Sequence, residues 1–207
     1  MDSTPALQLV ILLFSVILHE VMHGVVALKF GDHTAQRAGR LTLNPIPHID
    51  PIGTILVPAL MTLTGSGVLF GWAKPVPVNP LNFSNLRRAE LFVSAAGVAA
   101  NFGLAIIAAV LYRLLQEINL QIPLISILLQ YTVFINLLLG IFNLIPIPPL
   151  DGSKMLMSQL SYKFARSYES LEKYGPFILL ILIFTGVLFA PLQLVVRSLL
   201  TLLLYSN

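Results

Sequence analysis

Long apolar stretches alternate with short polar ones along this chain. A helix needs about 20 apolar residues to cross a hydrocarbon layer about 30 Å thick. The first stretch of that kind covers about residues 6–30, and a polar, turn-rich segment, 31–51, follows. Residues 52–70 are apolar but rich in Gly, Thr and Pro. Residues 71–89 are polar and punctuated by Pro75, Pro77 and the Asn79-Pro80 turn signal. Further spans are expected over about 90–115 and 123–145, the second running into the proline-rich 146–152. Residues 153–175 are the most charged, and the apolar tail 176–205 is interrupted by Pro191 and Arg197. No internal repeat or low-complexity segment breaks this pattern. The expected fold is an all-α polytopic membrane protein, a bundle of transmembrane helices. Residues 40–44 and 74–79 both read as short strands. Pro75 and Pro77 blank one edge of the second strand, so Val76 and Val78 are expected to pair with 41–44. This would make a small β-ribbon or a re-entrant element near the cytoplasmic membrane face. Its free edge could accept an added strand.

Composition supports the membrane reading. Of 207 residues, 57% are hydrophobic and only 10% charged, against about 25% in soluble domains. The mean hydropathy is +0.87. The net charge of +3 comes without a basic stripe, which argues against a nucleic-acid partner. The chain has no cysteine, so disulfides are excluded and a metal site would draw on His, Asp or Glu. Asp2 stands where a signal peptide would be basic, and the first span is expected to be retained.

That span carries the sequence His19-Glu20-Val21-Met22-His23. Residues four apart share a helix face. Two imidazoles so placed can bind one zinc ion, and Glu20 can take a proton from water beside it. A chance match would be an ordinary explanation in a soluble helix. Inside a membrane span a carboxylate costs roughly 2.5–3.5 kcal/mol, so ionisable residues there are functional by default. A catalytic zinc usually takes three protein ligands. Asp151 is the best third candidate, because it follows prolines that break a helix at membrane depth, where irregular backbone is tolerated beside a cavity or within protein. The alternative for Asp151 is a helix N-cap. His48 and Asp50 could orient a ligand or gate substrate; equally, they could form an Asx-type turn before Pro51. His33 lies in a Gly-Asp-His turn and reads as solvated. Ala95, Ala96, Gly97, Ala99, Ala100 and Gly103 let the middle span pack closely.

His19 to His23, with Asn143-Leu-Ile-Pro146 and Leu150-Asp151-Gly152 far downstream, resembles the site-2 protease family of intramembrane metalloproteases. Residues 44–53 and 71–80 resemble its small prokaryotic members, those without a PDZ or CBS domain. The resemblance spans about residues 15–155. It implies one Zn²⁺ per chain held by His19, His23 and Asp151, with Glu20 as general base. It also implies that Asn101 and Asn143 help hold substrate or its oxyanion. The family often reads Gly-Pro before the middle-span asparagine, where this chain has Gly97-Val98. The expected organisation is one membrane-embedded metalloprotease domain, 1–207. Its catalytic core covers about 6–155, and a C-terminal membrane segment covers about 176–205. No loop is long enough to hold an inserted soluble domain.

Parity sets the expected topology. His19 lies about 21 Å into its span at 1.5 Å per residue, near the C-terminal end. Asp151 also follows the C-terminal end of a span, so the two spans should be parallel. That requires 52–70 to dip in and return, or to lie at the interface. Lys29, Arg37, Arg40, Lys74, Arg87, Arg88, Lys154, Lys163, Arg166 and Lys173 then share one side, opposite Arg113. The positive-inside rule makes the active-site end cytoplasmic in a multi-pass cell-membrane protein. The expected substrate is a single-span membrane protein or its membrane-bound remnant, met within the lipid bilayer and cut by regulated intramembrane proteolysis. The rival reading is a membrane zinc transporter or sensor, which needs the ligands but not Glu20 as a base.

Overall fold

The computed structural model describes residues 4–63, 73–120 and 122–205. Helix α1 (Thr4–Lys29) is followed by the single turn α2 (Thr34–Arg37). A 3-10 turn (Ile46–His48) and a π-helical turn (Pro51–Leu56) lead into α3 (Val57–Leu63). A second 3-10 turn (Pro80–Asn82) precedes α4 (Leu86–Glu117) and α5 (Pro123–Asn143). Then come α6 (Asp151–Gln159), α7 (Tyr162–Glu169), α8 (Gly175–Phe184) and α9 (Phe189–Tyr205). Among the described residues three helices are long and apolar enough to cross a membrane: α1 from Ala6, α4 and α5. The pair α8–α9, bent by 79°, makes a fourth if taken as one broken span.

Local sequence explains the helix ends. Asn85 caps α4 by accepting a hydrogen bond from the Arg88 N–H. Pro123 occupies the first turn of α5, where its missing N–H costs nothing. Gly186, with φ of +73°, ends α8 in the left-handed conformation that glycine adopts freely.

Helix α4 is the centre of the bundle and packs against α1, α5, α6 and α9. Its buried face is built from small residues, including Ala89, Ala96, Gly97, Ala105, Ala108 and Ala109. Lipid chains are as apolar as leucine, so close backbone approach rather than water exclusion favours such contacts. Away from the site, Ala105, Ala108, Ala109 and Tyr112 of α4 pack with Val133 and Leu137 of α5 and with Val196 and Leu204 of α9.

Hydrogen bonds fix the topology. The Ser84 N–H donates to the Phe30 carbonyl at 3.1 Å, so α4 begins beside the end of α1. The Lys74 N–H donates to the His48 carbonyl at 2.8 Å. His48 and Lys74, at the two ends of the excursion, therefore lie side by side; residues 64–72 lie outside the described residues. Because α4 begins beside the end of α1 and α5 turns back against α4, α1 and α5 run parallel. At the other face, Arg113 donates to the carbonyls of Leu202 and Leu203 at 2.7 and 2.6 Å. Helix α8 starts beside Pro148, whose carbonyl lies 2.1 Å from where a Cβ on Gly175 would sit. The α8–α9 pair thus runs from the site face to the opposite face.

The expected β-ribbon does not form: among the described residues there is no strand. The Val76 N–H, expected to pair with 41–44, donates instead to the Glu20 carboxylate at 2.8 Å. Arg40 holds the carbonyls of Lys74 and Pro75 at 2.6 and 3.2 Å. With Pro75 and Pro77 offering no N–H, this segment has few donors for a ladder. Side chains hold it as a strap across α1. Val76 sits over Gly24, where a Cβ would come within 2.9 Å of its Cγ1.

Candidate metal centre

The strap, the last turns of α1, the first turns of α4 and the start of α6 enclose one polar cluster. His19 and His23 lie on one face of α1, and Asp151 opens α6 just past the proline-rich turn. All three are buried, at 7%, 9% and 7% exposure. Asp151 Oδ2 lies 3.0 Å from His19 Nε2 and 3.3 Å from His23 Nε2. The two Nε2 atoms are 3.0 Å apart. One ligand atom from each residue falls within a 4.8 Å set, and among the described residues no other such group of three or more occurs.

The tautomers decide what this cluster can hold. His23 Nδ1 lies 2.6 Å from the Val93 carbonyl, an oxygen that can only accept, so His23 carries its proton there. His19 Nδ1 lies 2.6 Å from Asn101 Oδ1 and likewise donates. In neutral rings both Nε2 atoms are then bare lone pairs. They face Asp151 Oδ2, a buried oxygen without a hydrogen-bond partner. Three electron-pair donors turned toward one another repel unless a cation lies between them. Two imidazoles and a carboxylate with outward N–H groups fixed are a donor set that suits zinc.

Gly97 makes the approach of α4 possible. A Cβ there would lie 2.6 Å from His19 Cε1 and 2.6 Å from His23 Cε1 and Nε2. Gly152 does the same for the turn before α6, where a Cβ would lie 2.2 Å from the Leu144 carbonyl oxygen.

The other predicted residues fall in three places. Glu20 is half-buried beside the ligand pair, with Oε2 on the Val76 N–H. Asn101 is fully buried, and both ends of its amide are engaged inside the bundle, Oδ1 by His19 and Nδ2 by Asn136 Oδ1 at 2.9 Å. Asn143 is half-buried at the end of α5 and donates to the Leu139 carbonyl at 3.0 Å. His48 and Asp50 lie in the loop that holds the strap. His48 is fully buried, with Nε2 on the Thr42 carbonyl at 2.9 Å. Asp50 accepts from the N–H groups of Ile52 and Gly53 in the Asx manner, at 3.0 and 2.7 Å. His33 is exposed, with Nδ1 2.9 Å from Gln36 Oε1. Sequence reading missed the parts played by Val76, Arg40, Asn136 and Ser15. For the last two there was a signal, since both are polar residues within apolar spans.

Comparison with known proteins agrees with this geometry. The model of peptidase family M50 matches residues 118–186, the stretch that holds Asn143, the proline-rich turn and Asp151. The candidate zinc metalloprotease YwhC of Bacillus subtilis is 39% identical over 183 residues, covering 84% of this chain and 78% of its own length. The chain belongs to peptidase family M50. This M50 peptidase is also 30% identical over 179 residues to the candidate zinc metalloprotease Rip2 of Mycolicibacterium smegmatis, covering 85% of the chain and 66% of the relative. It is 27% identical over 197 residues to zinc metalloprotease MJ0392 of Methanocaldococcus jannaschii, where it spans 94% of itself but 47% of the relative. No solved structure matches it. The family and these relatives, together with the apolar helices, make this M50 peptidase a zinc metalloprotease of the membrane.

Proposed function

We propose that this metalloprotease hydrolyses peptide bonds within or beside transmembrane segments, with His19, His23 and Asp151 holding one zinc ion and Glu20 acting as general base. The observation that carries the reading is the convergence of three buried lone-pair donors, two of them inside a membrane-spanning helix. His19, His23 and Asp151 would hold a zinc ion, which would supply a water of pKa about 7 and polarise a carbonyl. The Glu20 carboxylate takes the proton of the attacking water and returns it to the leaving amine. The Val76 N–H holds Oε2, which leaves Oε1 to carry that proton. Asn143, half-buried at the rim, is the remaining candidate to hold substrate, since the Asn101 amide is already used.

A substrate helix hides its amides in its own hydrogen bonds, so it must unwind locally before attack. This favours a single-span membrane protein or its membrane-bound remnant as substrate, and makes the reaction a step of regulated intramembrane proteolysis. The lysines and arginines of the site-face loops, against Arg113 at the opposite face, favour a cytoplasmic active site.

The purified protein with a transmembrane peptide tests the assignment. Glu20→Gln is expected to abolish cleavage while keeping about one zinc per chain, because Glu20 is not a ligand in this motif. His19→Ala and His23→Ala are expected to lose the metal as well. Wild-type cleavage by Glu20→Gln would remove Glu20 as the base. Single cysteines test the orientation: positions 37, 87 and 163 are expected to label from the cytoplasm and position 118 from the other side. The reverse labelling would place the site on the other face.

A further inference from the structure

Behind His19 lies a chain of side chains that runs through all three long helices. Asn101 of α4 accepts from His19 Nδ1 and donates to Asn136 Oδ1 of α5 at 2.9 Å. Asn136 Nδ2 donates to Ser15 Oγ of α1 and to the Thr132 carbonyl, both at 2.9 Å. Ser15, Asn101 and Asn136 are buried to 1%, 0% and 0% exposure. Unpaired amides at this depth would cost several kcal/mol each, so the chain holds only as a connected set.

The chain has a direction, and a backbone carbonyl sets it. The Thr132 carbonyl can only accept, so Asn136 must turn its NH₂ toward it. That turns Asn136 Oδ1 toward Asn101, which must therefore donate. Asn101 then has only its oxygen left for His19, and His19 Nδ1 must carry a proton. The Nε2 lone pair is thereby aimed at Asp151 and His23. With the Asn101 amide reversed, an N–H would face Nδ1 and the proton would sit on Nε2, blocking the ligand position.

We infer that Asn136, anchored on the Thr132 carbonyl and Ser15, is a positioning residue that sets the tautomer of His19 through Asn101. Asn136 touches neither substrate nor the ligand atoms. The inference rests on the proposed His19–His23–Asp151 zinc site. A group bonded directly to a ligand, as Asn101 is, typically contributes about 10–100-fold to metal affinity, and Asn136 acts one bond further out, at the lower end of that range.

The test is zinc affinity of the full chain in detergent, measured by competition with a chromophoric chelator. Asn136→Leu keeps the volume and removes the amide; it is expected to weaken zinc binding about 10-fold. Ser15→Ala is expected to cause a smaller loss in the same direction, and Ser15→Thr to restore affinity because it keeps the hydroxyl. Leu137→Ala, the neighbouring buried residue of the α5 core, controls for destabilisation; it is expected to lower the thermal midpoint with zinc affinity unchanged. His23→Ala separates the two ideas. If His23→Ala binds zinc like wild type, the site assignment itself fails. If His23→Ala loses zinc while Asn136→Leu and Ser15→Ala keep wild-type affinity, the site stands and the positioning chain is wrong. Equal losses of affinity in Leu137→Ala and Asn136→Leu would also overturn it, since general loosening would then suffice.

Discussion

Two polar regions hold this molecule's active end, and they are built on opposite terms. Inside the bundle, Ser15, His19, Asn101 and Asn136 satisfy one another, side chain to side chain, across three helices. In the loops, Asp32, Arg40 and Asp50 bond chiefly to backbone. Asp32 accepts from the N–H groups of Thr34 and Asn79, from the Thr34 hydroxyl and from the Asn82 amide. Arg40 holds two carbonyls, and Asp50 two N–H groups. The difference follows from where backbone groups are spent. A membrane helix consumes its own N–H groups, so a polar side chain there bonds to another side chain or to the second lone pair of a helix carbonyl, as Asn136 does at Thr132 and His23 at Val93. The loops over 30–50 and 73–84 have no strand ladder, so their backbone is open and charged side chains take the place of a ladder. The inner region specifies geometry at the ligands, and the outer one holds the strap against Glu20.

The sharpest break in the inner region is expected at Gly97. Gly97→Ala would put a Cβ 2.6 Å from both imidazoles, so we predict loss of stoichiometric zinc and a fall in activity of about 100-fold or more. Gly103→Ala, on the same helix with nothing within 4 Å of a Cβ, is the matched control and is expected to be silent. Metal analysis of the two purified variants decides it; normal zinc in Gly97→Ala would mean that α4 does not crowd the site.

In the outer region the largest effect is expected from Val76→Pro, which removes the N–H held by Glu20. A hydrogen bond to a charged group contributes about 1.5–3 kcal/mol, so kcat is predicted to fall about 10–100-fold with zinc content unchanged. Loss of zinc in this variant would show that the strap supports the ligands and not the base. Gly24→Ala presses on the same strap from below, with a Cβ 2.5 Å from Leu41 Cδ2 and 2.9 Å from Val76 Cγ1. These are ends of side chains that can shift, so only a few-fold loss of kcat is predicted, on the order of 1 kcal/mol. A loss in Gly24→Ala as deep as that in Val76→Pro would mean that packing of the strap, rather than its hydrogen bond, is what matters.

The smallest effect is a matter of pH. Burial raises the Asp32 pKa, but the hydrogen bonds from Asn82, Thr34 and the Asn79 N–H outweigh it and lower the value from 3.8 to about 2. A carboxylate with a lowered folded-state pKa contributes its full stability above the ordinary value and loses it as pH falls toward the folded one. The loop joining α1 to α4 is thus predicted to loosen between about pH 4 and pH 2, with Asp32→Asn removing this step. Brief acid pulses followed by limited proteolysis read it out. A loop equally resistant at pH 2 and pH 5 in the wild type would show that Asp32 does not hold it.

The sequence alone determined whatever depends on local periodicity and on the cost of charge in lipid. Apolar run length marked α1, α4 and α5. Helical spacing put His19 and His23 on one face, and a carboxylate in an apolar span marked Glu20. The prolines before Asp151 marked a broken helix end, and parity demanded that 52–70 dip in and return or lie at the interface; the Lys74–His48 hydrogen bond brings the two ends of that excursion together. Only the tertiary structure decided contacts between groups far apart in the chain. Residues 74–79 have the composition of a strand, yet Arg40 and Glu20 take the carbonyls and the N–H that a ribbon would have used. Asn101 looked like a substrate ligand, yet Asn136, 35 residues away, takes one end of its amide and leaves the other for His19. A strand or an asparagine shows in sequence what it can bond to; which partner it gets is settled by the packing of helices, and that packing is a property of the whole chain.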